Sequence, residues 1–201
     1  MNIAVLGARN VGGTLAGKWA QAGYSVMFGV RTVDNPATLA LARTLGVGVG
    51  TVPEAIEYGD VVVFAIPGNA MDETIHVHGA ALDGKIVIDA ANRTGGGTMN
   101  SAATFAAHAP GALLYRAFNS LGWENFENPV FDGSQADLLY CGPTGYAQEV
   151  VASLISAVGL RPVRVGDLNQ VGLVDMVASL WFALALGQGM GRHLAFKVLT
   201  R

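Results

Sequence analysis

Short apolar runs recur along the first two thirds of the chain, at residues 3–6, 25–30, 47–51, 61–66, 86–89 and 113–117, and within each run the apolar residues are continuous, not alternating. Strands of this kind are expected where both faces of a parallel sheet are covered by helices. The intervening segments 11–22, 36–45 and 53–58 carry apolar residues at helical spacing. The order strand, helix, strand then predicts an α/β fold, a Rossmann-like, doubly wound, mostly parallel sheet. Segments 137–141 and 161–165 flank a helix over 146–158 and are expected to extend that sheet. From residue 171 onward the chain reads as a small helical part, interrupted by Gly187, Gly189 and Gly191. No repeat or proline-rich linker divides the chain, and the best boundary lies at 166–169, giving a nucleotide-binding domain over 1–168 and a C-terminal helical segment over 169–201. The apolar stretch 177–186 is too short to cross a bilayer and reads as a buried helix.

Composition narrows the picture. The 201 residues are 51% hydrophobic and 13% charged, which excludes disorder and leaves apolar surface to bury inside the protein or between subunits. A net charge of -3 gives no basic footprint for nucleic acid. The absence of a basic leader and of a membrane span points to a cytoplasmic protein, and a single cysteine, Cys141, agrees with a reducing compartment. His76 and His78 are two residues apart but lack a third metal ligand, so no metal is expected.

In doubly wound sheets ligands bind beyond the carboxyl ends of the strands. The first strand there ends in Gly7, Ala8, Arg9, Asn10, Val11 and Gly12, and a helical segment follows at once. This is the dinucleotide fingerprint with its first and third glycines in place. Arg9 replaces the second. Either its side chain pushes a pyrophosphate outward, or its guanidinium compensates through charge-assisted hydrogen bonds, and compensation is the favoured outcome. At the end of the second strand, where an acidic residue would hold the ribose hydroxyls of NAD, the chain has Arg31 and Thr32. A guanidinium and a hydroxyl suit a 2′-phosphate, so NADP(H) is the expected cofactor. Ala65, Ile66 and Pro67 would lie beneath the ribose and nicotinamide. Ala90 and Asn92, after the fifth strand, are further cofactor contacts, and the glycine run 94–98 beyond them is either a lid or a plain loop.

Taken together, the glycine loop, Val30-Arg31, Ala65-Ile66-Pro67, Ala117-Phe118-Asn119-Ser120, Cys141-Gly142, Leu154-Ile155, Gly159-Leu160-Arg161-Pro162, Gly189-Met190-Gly191 and Phe196-Lys197 resemble the NADP-dependent reductases of the deazaflavin coenzyme F420. The resemblance runs in order over nearly the whole chain. It implies a homodimer and direct hydride transfer between NADP(H) and F420 or a flavin-like acceptor. It also implies that Asn119 and the tail around Met190 and Gly191 shape the pocket for this small-molecule redox substrate. The chain departs from the family at Arg9 and at Gly142-Pro143-Thr144, where relatives carry acidic residues. No side chain is expected to act as a catalytic acid, because hydride transfer to a deazaflavin needs none at the same centre. Two alternatives remain: NADPH-dependent reduction of a small carbonyl or imine, with His193 as the candidate acid, and a non-catalytic NADP(H) sensor.

Overall fold

The computed structural model describes all 201 residues, Met1–Arg201. They divide into two compact units, Met1–Leu114 and Tyr115–Arg201. In chain order the first unit runs β1 (Asn2–Leu6), α1 (Asn10–Gln21), β2 (Ser25–Val30), α2 (Pro36–Leu45), β3 (Gly48–Thr51), α3 (Val52–Tyr58), β4 (Val61–Phe64), α4 (Met71–His78), β5 (Ile86–Asp89) and α5 (Ala102–His108). Strand β6 (Leu113–Arg116) leads into the second unit. Six strands form one parallel sheet in the order β3-β2-β1-β4-β5-β6. The order reverses between β1 and β4, which pair in register from Ile3↔Val61 to Leu6↔Phe64. Every residue of β4 and β5 is buried, which is why their sequences are continuously apolar.

The expected strand 61–66 stops two residues early. The ladder ends at Phe64, and Ala65 and Ile66 belong to the loop that follows. Helix starts in this unit are written in the sequence. Asn35 accepts from the N–H groups of Ala37 and Thr38 at 3.1 Å each, capping α2. Thr51 and Glu54 form a reciprocal capping box on α3. Helix α1 has no such cap, as is also true of α4 and α5: its N-cap residue Arg9 makes no side-chain capping bond.

The second unit contains α6 (Glu124–Glu127), a hairpin of β7 (Val130–Phe131) and β8 (Ser134–Gln135), then β9 (Asp137–Tyr140), α7 (Tyr146–Ala157), β10 (Arg161–Arg164) and α8 (Val171–Phe182). Here the expectation that 137–141 and 161–165 extend the main sheet is corrected. β9 and β10 pair in parallel as a separate two-stranded sheet. Only one antiparallel bridge, Arg116↔Cys141, links the end of this pair to β6. Both sides of that bridge lead into backbone that cannot continue a ladder: Phe118 has φ 62° and Gly142 has φ 158°.

The C-terminal helical part begins and ends earlier than the stretch from residue 171 onward that the sequence pattern suggested. α8 continues through a π turn at Ala183–Gly187, so the helical stretch covers Leu168–Gly187, 20 residues with mean hydropathy 1.6. That is long and apolar enough to cross a membrane by length and composition alone. It is not a buried helix either, since only 28% of it is buried and Leu173, Met176, Leu180 and Leu186 are exposed. Its one ionised residue, Asp175, is buried in an ion pair with Arg116 at 2.9 Å. The tail beyond it has no regular structure but is fastened. Asn125 donates to the carbonyls of Arg192 and Leu194, and Trp181 Nε1 donates to Leu194 as well. The Arg192 guanidinium lies over the Trp181 ring and meets Glu124. Asp137 accepts from Arg161 and from the N–H of Val198. Burial pushes the Asp137 carboxyl up, but these bonds and the charges of Arg161 and Lys197 outweigh it and hold the group below the usual carboxylate range.

Backbone packs closely on backbone where β1 meets α1. A Cβ on Gly12 would stand 2.0 Å from the carbonyl oxygen of Gly7, and one on Gly7, which has φ +100°, would meet the Ala65 carbonyl oxygen at 2.6 Å. Gly12→Ala should therefore lower stability by about 1–3 kcal/mol. The check is urea unfolding, where the midpoint should fall with an unchanged slope. An unchanged midpoint would show that the helix can move off the strand freely.

Candidate functional site: a cavity at the strand crossover

A cavity of about 660 Å³ opens beyond the carboxyl ends of β1, β2 and β4, at the point where the strand order reverses. Its lining comes entirely from the first unit. The glycine loop contributes Leu6, Gly7, Ala8 and Arg9. From β2 and the start of α2 come Gly29, Val30, Arg31, Thr32, Asn35 and Thr38. The β4 loop and α4 supply Ala65, Ile66, Pro67, Asn69, Ala70, Glu73 and Thr74.

Most of the residues expected at the cofactor site are thus brought together: Gly7, Ala8, Arg9, Arg31, Thr32, Ala65, Ile66 and Pro67 share this one wall. Asn10, Val11 and Gly12 form the first turn of α1 immediately behind the loop and do not themselves line the cavity. Ala90 and Asn92 do not line it either. Ala90 is buried, and the carbonyl oxygen of Asn92 packs against Gly68, where a Cβ would come within 2.4 Å. Their place is structural: the loop after β5 forms a shelf under the loop after β4. Asp89 shapes that shelf by accepting from the N–H groups of Ala91 and Ser101. Arg93 ties it to α4 through Asp72 at 2.5 Å, and Thr104 donates to the same carboxylate. These bonds, that of Thr104 foremost, hold Asp72 below its ordinary range. Asn119 belongs to the second unit, where it is buried and its amide lies 3.4 Å from Asp175.

Sequence reasoning missed Thr38, Glu73 and Thr74, and it reached Asn35, Asn69 and Ala70 only as members of the strand-end loops 31–35 and 67–71, without a role. Asn35 was recoverable, since an Asn just before Pro36 at a helix start is a capping signal. The α4 residues carry no such signal, because they reach the cavity only through the turn that follows Pro67.

The electrostatics of the cavity point to an anion. Arg9 has φ -90° and ψ -161°, extended backbone open to any residue, so the lost glycine costs no strain. Neither Arg9 nor Arg31 has an acidic partner, and both are exposed. The nearest carboxylate to Arg31 in sequence, Asp34, does not line the cavity. Behind Arg9, α1 presents the start of a twelve-residue helix whose N–H groups no side chain caps. A helix start of this kind attracts phosphate through its free N–H groups and its dipole. A nicotinamide dinucleotide phosphate therefore fits the donor set: N–H groups and one guanidinium for the pyrophosphate, a second guanidinium and hydroxyls for the extra phosphate.

Comparison with known proteins agrees with this geometry. Residues 2–93 match the family described as NADP oxidoreductase coenzyme F420-dependent. The chain is 26% identical over 219 residues to a glycerol-3-phosphate dehydrogenase [NAD(P)+] of Chlorobium chlorochromatii, covering all of this chain and 65% of that protein's length. A crystal structure of a proposed F420-dependent NADP reductase from an Arthrobacter species superposes with a TM-score of 0.84 at 23% identity, covering 98% of this chain and 99% of that one. A reductive aminase from Aspergillus terreus, solved with NADPH, gives 0.70 at 18% identity over 94% of this chain and 62% of its own. These two likenesses establish the fold. Over residues 2–93 the chain is thus similar to the NADP oxidoreductases described as coenzyme F420-dependent, and over its whole length it shares the Rossmann-like fold of the solved structures.

Proposed function

We propose that the chain binds NADP(H) in the cavity at the strand crossover and passes a hydride between it and coenzyme F420 or a flavin-like acceptor. One observation carries the cofactor assignment: an uncapped helix start and an unpaired Arg31 line the same cavity, with no carboxylate at the end of β2. When bound, the nicotinamide supplies or accepts the hydride. The chain's own part is to hold and orient. The first turn of α1 and Arg9 take the pyrophosphate, Arg31 and Thr32 take the 2′-phosphate, and Ile66 with Pro67 gives the apolar surface on which the nucleotide rests. Positioning of two flat redox groups is the main source of rate in such a transfer, so no side chain needs to donate a proton at the reacting carbon.

The acceptor is supported by the likeness of residues 2–93 to that family and by the Arthrobacter structure of nearly equal length. In this reading the chain acts as a homodimer, the second copy covering the exposed Leu173, Met176 and Leu180 of α8. These residues recur at helical spacing on a helix with no exposed charge between Leu168 and Gly187. Sedimentation at low micromolar concentration should return a dimer, and Met176→Glu should shift it to monomer; a monomeric parent protein would refute the assembly.

Replacing Arg31 with Ala should weaken NADPH binding by about ten- to a hundredfold, the worth of a charge-assisted hydrogen bond to phosphate, and leave NADH little changed. Equal losses for both would refute the 2′-phosphate assignment. Arg9→Gly should weaken both cofactors by a similar factor, because the pyrophosphate is common to them. Tighter binding would mean that Arg9 obstructs the pyrophosphate and does not grip it.

The acceptor itself is tested by following NADPH oxidation at 340 nm, the reduced nicotinamide band, against F420 and FMN in turn. Oxidation with F420 is the expected result. NADPH binding without oxidation by either would move the assignment to carbonyl or imine reduction, or to a non-catalytic sensor.

A further inference from the structure

The α4 wall of the cavity carries a charge of the wrong sign for a polyanionic ligand. Glu73, in the first turn of α4, lines the cavity, is exposed, and has no hydrogen-bond or ion-pair partner. Its neighbour Asp72 is engaged by Arg93 and Thr104. Thr74, the other polar residue of that turn, spends its hydroxyl on the carbonyl of Ala70 at 2.8 Å. Glu73 is therefore the one ionised acceptor on this wall.

An uncompensated carboxylate facing a phosphate-binding cavity weakens binding through repulsion unless the ligand brings it a donor. The phosphates are already accounted for at α1 and β2. What remains for the α4 side, where Ala70 and Thr74 line the cavity beside Glu73, is a flat heterocycle carrying an N–H. We propose that Glu73 reads the base of the dinucleotide, its carboxylate accepting a hydrogen bond from the 6-amino group of adenine. The cavity would thus prefer a 6-amino purine and disfavour a 6-oxo purine, whose oxygen would face the carboxylate without a proton between them. The proposal rests on the NADP(H) assignment made above.

The test compares NADPH with its 6-oxo analogue, reduced nicotinamide hypoxanthine dinucleotide phosphate, by titrating nicotinamide fluorescence with the intact protein. The parent protein should bind NADPH about tenfold or more tighter than the analogue, as expected for a hydrogen bond to a charged group. Glu73→Gln should bring the two within about twofold of each other, because a carboxamide can turn either its oxygen or its N–H toward the purine. The exposed position of Glu73 leaves the thermal midpoint of this variant unchanged. Equal affinities in the parent protein, or a parent-like ratio in Glu73→Gln, overturn the role of Glu73 while the cofactor assignment stands. Failure of the parent protein to bind NADPH overturns both.

Discussion

The carbonyl oxygen of Gly7 occupies the space into which any side chain on residue 12 would have to grow, and this contact sets the distance between β1 and α1. Because the helix is drawn so close, its first turn opens directly beyond the strand end. There it meets the loops after β2 and β4 at the one place where the sheet order reverses. Gly7 itself adopts a left-handed φ while its flank presses on the Ala65 carbonyl, so the β1 and β4 loops are locked to each other through backbone. A larger residue at either position would move the walls of the cavity apart.

Within that frame the charges divide the cavity by chemistry. α2 and α3 satisfy their own N-termini with Asn35, Thr51 and Glu54, whereas α1 leaves its start to whatever enters. Arg9 and Arg31 stand free of acids on the phosphate side, and Glu73 stands free of bases on the other. The second unit follows the opposite rule. There several charged groups pair with one another: Arg116 with Asp175, Arg161 with Asp137 and Arg192 with Glu124. Removing one member of a buried pair such as Arg116 with Asp175 leaves an uncompensated charge and costs about 3–5 kcal/mol, so these pairs hold α8 and the tail in place.

The sheet of the first unit was legible because its strands are buried on both faces and its loops carry glycine and proline at the turns. The glycine loop and Arg31 were legible for the same reason, since strand ends fix where the following residues must lie. Ala90 and Asn92 do not line the cavity, because the loop after β5 supports the loop after β4 from beneath. β9 and β10 looked like further strands of the main sheet because an apolar run does not say which sheet it joins. The exposed face of α8 was hidden by its composition, as an uncharged helix reads as buried whether its cover is its own chain or another. Glu73 gave no signal at all, being one acid among several in a polar turn.

The phosphorus resonance of the 2′-phosphate of NADP+ reports most directly on whether that phosphate meets a guanidinium in the cavity. On addition of the protein the line should shift and broaden together with the pyrophosphate lines, and with Arg31→Ala it should return toward its free position. A 2′-phosphate line left unmoved by the parent protein, under conditions where the pyrophosphate lines shift, would contradict the placement of the cofactor.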